Sequence, residues 1–365
     1  MYIATDSSNR LLSLDVFRGL TVVLMILVNN DWGDESFEML LHSNWNGMTP
    51  CDLIFPFFIY IMGVSCYLSF NKSDFNRSPR NLFHILKRTI ILFVAGLIVN
   101  WAFLSVRESL YSIDHLRIWG PLQRIAVCYG LLSLFALFFK HKYIILVITF
   151  LLVSYSIIIV VGSGYAYDAN ENILSIVDMN LFGYEHIYHR SPVDPEGLLG
   201  IIPSLAHCMI GFYCGQIFCQ QKANTIENNI IYIFILGTAL LLCGYLLSYE
   251  LPLNKHIWSP SFVLVSCGIA SLLLSSLVYV LDYKKKKVNV TLFIAYGVNA
   301  LALYILSLLL LAVLIYTGMT DSWYEFILGI VISLKWSSLL YALSWVILFS
   351  GIALLLYRYK VILKI

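Results

Sequence analysis

Ten stretches of this 365-residue chain are long and apolar enough to cross a lipid bilayer. A membrane-spanning helix needs about 20 mainly apolar residues. The segments are residues 13–30, 51–70, 83–104, 122–139, 143–161, 197–218, 230–249, 260–281, 291–317 and 337–357. We therefore predict an all-α, polytopic membrane protein with about ten transmembrane helices.

The composition agrees with a membrane protein and excludes several other classes. Hydrophobic residues make up 60% of the chain and charged residues only 12%, whereas a soluble domain is about one quarter charged. Too little polar surface remains to face water, so a soluble enzyme and a disordered scaffold are excluded. A nucleic-acid binder is excluded as well, because the formal net charge is only +2.

The chain is predicted to form one membrane domain over residues 1–365, since it has no low-complexity linker and no clear internal repeat. The first apolar segment contains Asp15 and Arg18, and no small-residue cleavage site follows Asn30. We expect this segment to be retained rather than removed as a signal peptide. Residues 323–334 are apolar but too few to span the bilayer, and they predict an interfacial or re-entrant segment.

The basic residues predict the orientation. Lys and Arg are retained on the cytoplasmic side of a membrane, and placing the N-terminus inside puts 17 of the 23 Lys and Arg residues on that side. Both termini are therefore predicted to be cytoplasmic. The two longest outer loops, residues 31–50 and 162–196, then indicate the extracytoplasmic part of a site, or a cap that only covers helix ends.

The eight cysteines indicate neither a disulfide framework nor a zinc site. Six of them lie well inside predicted spans, Cys51 and Cys219 lie at span ends, and no C-x-x-C pair occurs. We interpret them as small apolar side chains and predict no bound metal.

The first outer loop holds the strongest cluster of candidate catalytic residues. His42 lies in a loop without Lys or Arg, where a neutral imidazole can accept a proton near pH 7; a solvated loop histidine is the alternative. Asp52 follows Thr49 and Pro50 in the order of a capping box at the start of the second span, and an anchored carboxylate there could also orient His42. The other polar candidates around this loop are Asn29, Asn30, Trp45 and Asn46, and Trp45 and Asn46 are expected to contact the substrate.

A second polar cluster precedes the sixth span. Asp194 is predicted to be the N-cap of that span, and Glu196 to lie near the positive end of its helix dipole. Alternatively, these carboxylates bind a cationic amine, because capping does not account for the polar residues just upstream. Those residues are His186, Tyr188, His189 and Arg190.

Arg18 and Arg124 lie within apolar segments. An unpaired arginine there costs at least about 2.5–3.5 kcal/mol, so Arg124 is expected to face the bundle interior and a partner, either in a structural ion pair or as a substrate clamp. Asp15 and Arg18 are three residues apart and can pair on one helix face. Arg18 also lies in the predicted cytoplasmic half, where it can meet a phosphate.

Six motifs occur in order along the chain: SLDVFRGLTVVLMILVNN, HSNWNGMTPCDLIFPFFIYIMG, RIWGPLQRIAVCYG, EHIYHR…DPEGLLGIIPSL, WSPSFVLVSCGIA and YGVNALALYI. Together they resemble the heparan-α-glucosaminide N-acetyltransferase family of transmembrane acetyltransferases. The likeness runs from about Arg10 to the last span. The lysosomal member of that family has an additional luminal N-terminal domain and a preceding span. This sequence resembles the ten-span catalytic core of a bacterial member, which implies location in the bacterial inner membrane.

The resemblance implies a transfer of the acetyl group from cytoplasmic acetyl-CoA to a glucosamine amine on the opposite side of the membrane. The catalytic histidine of the family's H-x-x-W-N-G motif maps onto His42, which is then expected to act as general base or as acetyl carrier. The family's essential asparagine falls on Asn29, and its aspartate falls on Asp52. A homodimer is also compatible with the resemblance.

The anionic phosphates of CoA are expected near basic residues of the cytoplasmic side. The candidates are Arg18, Lys87, Arg88 and the run 284–287, although that run is better explained as a topology anchor.

Two other functions remain open. A sugar O-acyltransferase of the same architecture would use the same base on a hydroxyl. A polytopic sugar or solute transporter would also have about ten spans, but the inverted repeats and paired broken helices of carriers are not evident.

Overall fold

The computed structural model describes residues 11–363 apart from residues 34, 108–112, 163–166, 168, 170–171, 189–190, 220–224 and 332. Every regular element within them is helical, as predicted. Short 3₁₀ turns precede α2 (Pro50–Leu53) and α5 (His141–Tyr143), and a π-helical turn (Val278–Tyr283) extends α9. The helices are α1 Leu12–Asn29, α2 Ile54–Asn71, α3 Pro79–Arg107, α4 Pro121–Phe138, α5 Ile144–Val161, α6 Ile173–Phe182, α7 Ile201–Cys219, α8 Ile226–Leu247, α9 Pro260–Leu277, α10 Thr291–Val298, α11 Ala300–Tyr316, α12 Met319–Ile330 and α13 Leu334–Arg358.

The described part of the chain contains nine to ten candidate membrane spans. Nine helices are long and apolar enough to cross a membrane, and α10 with α11 forms a bent pair that counts as a tenth if it is one broken span. Each of the ten predicted segments coincides with one of them, so the prediction of about ten transmembrane helices is confirmed. Large apolar side chains such as Phe150 and Leu246 are 66% and 70% exposed on the outside of the bundle, as lipid-facing side chains are.

Helices α2 and α7 form the centre of the bundle and pack closely along each other. A Cβ atom on Gly63 of α2 would fall 2.0 Å from the carbonyl oxygen of Cys208, and one on Gly211 of α7 would fall 2.2 Å from that of Tyr60. Small residues allow transmembrane helices to approach in this way. The central pair therefore holds the start of α2, where His42 and Asp52 meet, in a fixed position.

The connections define two ends of the bundle. At the long-loop end lie the connections between α1 and α2, α3 and α4, α5 and α7, α8 and α9, and α11 and α13. Two of these loops bind each other directly, because the Gly47 backbone N–H donates to the Leu253 carbonyl at 2.7 Å. At the opposite, short-loop end, Asp282 caps α1 by accepting the Leu12 backbone N–H at 2.9 Å.

The ninth span is broken, which the sequence did not predict. Helices α10 and α11 meet at Asn299 at an angle of 80°, although the segment contains no proline. The Asn299 side chain donates to the Val361 carbonyl and accepts the Leu363 N–H, both at 2.9 Å. The Gly297 carbonyl accepts from Arg18 at 3.3 Å. Contacts from distant segments thus satisfy polar groups at the break.

Helix α12 covers most of the stretch predicted to be interfacial or re-entrant. It has 12 residues, which is too few to span the bilayer. Thr320 and Tyr324 are buried, whereas Phe326 and Ile330 are each 69% exposed. One face therefore packs on the bundle and the other presents apolar side chains, as in a helix that lies along a membrane surface.

Candidate active site

His42 and Asp52 meet at the long-loop end, where the first outer loop enters α2. His42 Nδ1 lies 2.8 Å from Asp52 Oδ1. The imidazole is 52% exposed and the carboxylate is 1% exposed. When Nδ1 donates its proton to this carboxylate, Nε2 carries the free lone pair. In this arrangement a buried carboxylate can orient an imidazole that is free to accept a proton.

The local fold explains why Asp52 lies there. The 3₁₀ turn at Pro50–Leu53 begins with Thr49 as N-cap, and the predicted capping box is confirmed. Asp52 Oδ2 accepts the backbone N–H of Thr49 at 3.0 Å, its hydroxyl at 3.1 Å and the backbone N–H of Ser43 at 3.2 Å. One carboxylate oxygen therefore caps the helix start while the other contacts the imidazole.

Lys255, in the loop between α8 and α9, is a site residue that the sequence analysis did not single out. Its Nζ lies 2.9 Å from His42 Nδ1, 3.4 Å from His42 Nε2 and 3.4 Å from Asp52 Oδ1. Only 12% of the side chain is exposed. Its one sequence signal is that it belongs to the six basic residues predicted to lie on the outer side. Cys51 completes these contacts, with Sγ 3.2 Å from His42 Nδ1.

The α8–α9 loop is fixed against the first outer loop. The Trp45 ring stacks on His256 with centroids 5.4 Å apart, and Trp45 Nε1–H donates to the Tyr167 carbonyl at 2.6 Å. Asn46 Oδ1 accepts from Asn254 Nδ2 at 3.1 Å. Burial lowers the pKa of His256 below its ordinary value, which favours the neutral, stacked ring. Trp45 and Asn46, two predicted substrate residues, thus belong to the contact that positions Lys255 beside His42.

Arg117 holds two carboxylates together at the same end. Its Nη2 lies 2.5 Å from Asp194 Oδ1 and 2.6 Å from Glu196 Oε2, and its Nε donates to Asp194 Oδ2 at 3.2 Å. Burial alone would lower the pKa of Arg117, but the two carboxylates raise it above its ordinary value. Burial would also raise the pKa of Glu196, but Arg117 outweighs it and lowers that pKa. Arg117 and Glu196 are therefore both charged at neutral pH.

Asp194 is not the N-cap of the sixth span, because α7 begins only at Ile201. Residues 195–200 form turns first. Asp194 Oδ1 instead accepts the backbone N–H of Glu196 at 3.0 Å, and Oδ2 accepts that of Tyr188 at 3.1 Å. With both oxygens bound and the side chain 1% exposed, these contacts favour a structural role for Asp194. Glu196, 12% exposed, is better placed to meet a substrate.

Two buried ionisable side chains lie beside the turns at residues 195–200. Arg124 faces the bundle interior as expected, but its partners are the Gly197 carbonyl at 3.3 Å and the Trp258 ring at 5.0 Å rather than a carboxylate. Its Nε and Nη1 have no hydrogen-bond partner among the described residues. Asp178 on α6 accepts the Leu198 N–H at 3.0 Å, and burial raises its pKa to about 6.

Asn29 and Asn30, at the end of α1, have different surroundings. Asn29 is exposed and lies beside the Tyr304 hydroxyl, and Tyr304 lies within electrostatic range of Glu196. Asn30 is buried, and its Nδ2 donates back to the Ile26 carbonyl at 2.8 Å. Asn29 is therefore the asparagine whose amide is accessible at the long-loop end.

A cavity of about 480 Å³ lies toward the short-loop end. Arg18, Arg88 and the backbone at the α10–α11 break line it. One face of α2 forms a wall that extends about 16 Å along the helix, at 1.5 Å per residue. The wall residues are Phe58, Ile61, Met62, Ser65, Cys66 and Ser69. The end of this wall at Phe58 lies about one helical turn from Ile54, where α2 begins.

Two of the three predicted CoA-binding residues line this cavity. Arg18 donates to Ser65 Oγ at 2.7 Å and pairs with Asp15 at 3.5 Å, which is the pairing that their spacing predicts. Arg88 lines the same cavity from α3. Lys87, its neighbour in sequence, is exposed and is not part of the lining, because adjacent residues point to different faces of a helix.

His189 and Arg190 lie outside the described residues, whereas His186 Nδ1 contacts the Leu116 carbonyl at 2.8 Å. Within the described ranges, no group of three or more His, Cys, Asp or Glu side chains is arranged to hold a metal ion.

Comparisons with known proteins agree with the motif resemblance. A family profile described as "Heparan-alpha-glucosaminide N-acetyltransferase, catalytic" matches residues 10–249. The chain is 29% identical over 364 residues to heparan-alpha-glucosaminide N-acetyltransferase of Mus musculus, covering 82% of this chain and 53% of that protein. It is 28% identical over 358 residues to the protein of the same name of Homo sapiens, covering 81% and 52%. The chain thus spans about half the length of the curated relatives it matches.

The matched region contains most of the candidate site. It includes His42, Asp52, Arg117 and the cavity residues Arg18 and Arg88, and it ends before Lys255. Because the profile covers well over half of the chain, membership follows from the match itself. This multi-pass membrane protein belongs to the heparan-alpha-glucosaminide N-acetyltransferase family.

Proposed function

We propose that this protein transfers the acetyl group of acetyl-CoA to the amine of a glucosamine-type sugar, with His42 as the reacting base. The observation that carries the proposal is the 2.8 Å contact between His42 Nδ1 and Asp52 Oδ1. This contact lies at one end of the helix, α2, that also walls the cavity holding Arg18 and Arg88. The family membership supports the acetyl transfer, and the excess of Lys and Arg on the short-loop side supports a cytoplasmic location for that end.

Acetyl-CoA would bind in the cavity near the short-loop end. Its phosphates suit the guanidinium groups of Arg18 and Arg88, since arginine forms strong charge-assisted hydrogen bonds to phosphate. Its narrower pantetheine arm would follow the α2 wall toward His42. Ser65 and Ser69 on that wall supply hydroxyl groups for an arm that contains amide groups.

The chemistry requires removal of a proton from the attacking amine. His42 Nε2 takes that proton while Asp52 holds the Nδ1–H tautomer. The amine nitrogen bonds to the thioester carbonyl carbon, the C–S bond breaks, and the thiolate leaves as CoA–SH after receiving a proton from the imidazolium. Asn29, whose amide is accessible at this end, is the candidate donor to the developing oxyanion.

The acceptor sugar would enter at the long-loop end. Glu196 is the carboxylate best placed to attract its ammonium group, although Arg117 already offsets part of that charge. The buried Arg124 lies within electrostatic range of Glu196, and Trp45 and Asn46 hold the first outer loop against the loop that carries Lys255. Two observations support this part of the proposal. The Glu196 side chain is 12% exposed, and it lies within electrostatic range of Lys255.

The test is acetyl transfer by the purified protein in detergent with labelled acetyl-CoA and a panel of amino sugars. The proposal predicts release of CoA–SH together with an N-acetyl sugar that resists hydroxylamine. An ester product cleaved by hydroxylamine would indicate O-acetylation instead. Sugar binding without any CoA–SH release, and no stabilisation by acetyl-CoA, would indicate a transporter.

The same assay without sugar separates two chemical routes. If His42 carries the acetyl group covalently, acetyl-CoA alone labels the protein with an acyl-imidazole that hydroxylamine removes. If the amine attacks the thioester directly, His42 stays unlabelled and CoA–SH release requires the acceptor.

A further inference from the structure

Lys255 places a primary amine where the acceptor amine of the proposed reaction has to lie. A base must be within hydrogen-bond reach of the proton it abstracts, and Lys255 Nζ lies 3.4 Å from His42 Nε2 and 2.9 Å from Nδ1. In the described part of the chain, no other lysine contacts His42. An amine of this chain thus lies at the proposed reaction position.

The position of Lys255 is held by its neighbours on both sides. Asn254 donates to Asn46, and His256 Nε2 contacts the Ser43 carbonyl at 3.1 Å while its ring stacks on Trp45. Both residues that flank Lys255 are therefore bound to the loop that carries His42. A group held in this way reacts far faster than the same group free in solution.

We propose that Lys255 is itself an acetyl acceptor, so that the protein acetylates its own Nζ when acetyl-CoA is present and the sugar is absent. This inference rests on the proposed function, because it uses the same acetyl donor and the same base. It assigns a modification site, acetyl-Lys255, within the candidate active site.

The step balances in the same way as transfer to a sugar. The Lys255 ammonium gives one proton to His42 Nε2, and the free amine attacks the thioester carbonyl carbon. The C–S bond breaks and an amide forms at Nζ, with loss of the second nitrogen proton. CoA leaves as the thiol after taking one proton, and the other proton passes from His42 to solvent.

Acetylation removes the positive charge that lies 3.4 Å from Asp52. It also fills the space beside His42 with an amide that can no longer be acetylated. The modified protein is therefore expected to turn over more slowly, and a sugar acceptor is expected to protect Lys255 by taking the acetyl group first.

The experiment incubates the purified full chain with isotopically labelled acetyl-CoA without sugar, treats it with hydroxylamine, and maps the remaining label by peptide mass spectrometry. An amide at Lys255 survives hydroxylamine, whereas an acyl-imidazole at His42 does not. Lys335 is the internal control, because it is an exposed lysine at the same end of the bundle. We expect at least about a hundredfold more label on Lys255 than on Lys335, since only the former is held beside a base.

Two variants and one addition sharpen the test. Lys255→Arg keeps the positive charge but removes the acceptor amine, so the label at position 255 should disappear. Lys335→Arg should leave the label on Lys255 unchanged. Adding the acceptor sugar should lower the label on Lys255. Equal labelling of Lys255 and Lys335 would indicate chemical acetylation and would overturn the inference.

The sugar assay distinguishes failure of this inference from failure of the proposed function. If wild-type protein acetylates the sugar but Lys255 stays unlabelled over the same period, the inference is wrong and the proposed function stands. If neither the sugar nor Lys255 is acetylated, both are wrong.

Discussion

Asp52 Oδ1 lies 2.8 Å from His42 Nδ1, and the carboxylate is buried while half of the imidazole is exposed. The buried partner is fixed by the backbone N–H groups of Thr49, the N-cap of the turn before α2, and of Ser43 in the first outer loop. Because the carboxylate position depends on the helix and not on solvent, the ring that it orients keeps Nε2 open to a reacting group. This relationship leads to the first prediction.

Asp52→Asn should lower kcat for acetyl transfer by about 10²–10⁴-fold, since it removes the charge that fixes the imidazole tautomer. Thr49→Ala is the matched control, because Thr49 contacts Oδ2 and not His42. It should cost about 1 kcal/mol of stability with kcat within about threefold of wild type. Steady-state kinetics and thermal unfolding distinguish them, and equal losses of kcat in both variants would mean that Asp52 acts only through the helix start.

Asp194→Asn and Glu196→Gln should have different effects, although one arginine binds both carboxylates. Asp194 is buried, so losing its pair with Arg117 should cost about 3 kcal/mol of stability with little change in KM. Glu196→Gln should raise KM for the amino sugar about tenfold, equivalent to about 1.4 kcal/mol, and leave KM for acetyl-CoA unchanged. Unchanged KM in Glu196→Gln with reduced stability would assign both residues to structure.

Arg88→Gln should raise KM for acetyl-CoA about tenfold through loss of a charge-assisted phosphate contact. Lys87→Gln is the comparison, because Lys87 precedes Arg88 in the chain but does not line the cavity. It should change KM for acetyl-CoA by less than about twofold. A larger effect from Lys87 than from Arg88 would place the phosphates outside the cavity.

Asp178 predicts a pH dependence of stability. Its pKa is about 6 in the folded protein against about 3.9 for a free side chain, so the folded state holds the proton more tightly. The stability that this tighter proton binding contributes is fully present below about pH 4. It is lost as pH rises through about 6, which lowers the free energy of unfolding by about 3 kcal/mol.

The side chain introduced by Asp178→Asn cannot ionise, so the variant should not lose this stability as pH rises. The variant should therefore gain Tm relative to wild type at pH 7.5, and the gain should shrink toward pH 4.5. Differential scanning fluorimetry in detergent across this range measures the difference. A Tm difference independent of pH would contradict the raised pKa.

The membrane spans could be predicted from the sequence because each depends on local apolarity and length. The capping box at Thr49 and Asp52 was also visible, since its residues are adjacent in the chain. The break at Asn299 was not, because the groups that stabilise it come from Arg18 and from the C-terminal residues 361–363. No local pattern carries that information.

The candidate site likewise contains residues that the sequence predicts and residues that it does not. His42, Asp52 and Asn29 were identified from local motifs and a family resemblance. Lys255, by contrast, contacts His42 from a loop more than 200 positions away in the chain. Arg117, in the α3–α4 connection, binds Asp194 and Glu196, which are also distant in the chain. Asp194 was expected to be an N-cap because its Asp-Pro-Glu-Gly sequence is typical of a helix start, but the helix begins later, at Ile201.

The most direct test of acetyl transfer at His42 is the rate of CoA–SH release by purified His42→Ala protein with acetyl-CoA and an accepted amino sugar. Tm and acetyl-CoA binding should first match wild type, since His42 lies at the opposite end of α2 from Arg18 and Arg88. The predicted result is a kcat lower by at least about 10²-fold with the Kd for acetyl-CoA unchanged. A kcat within about threefold of wild type would contradict the assignment of His42 as the reacting base.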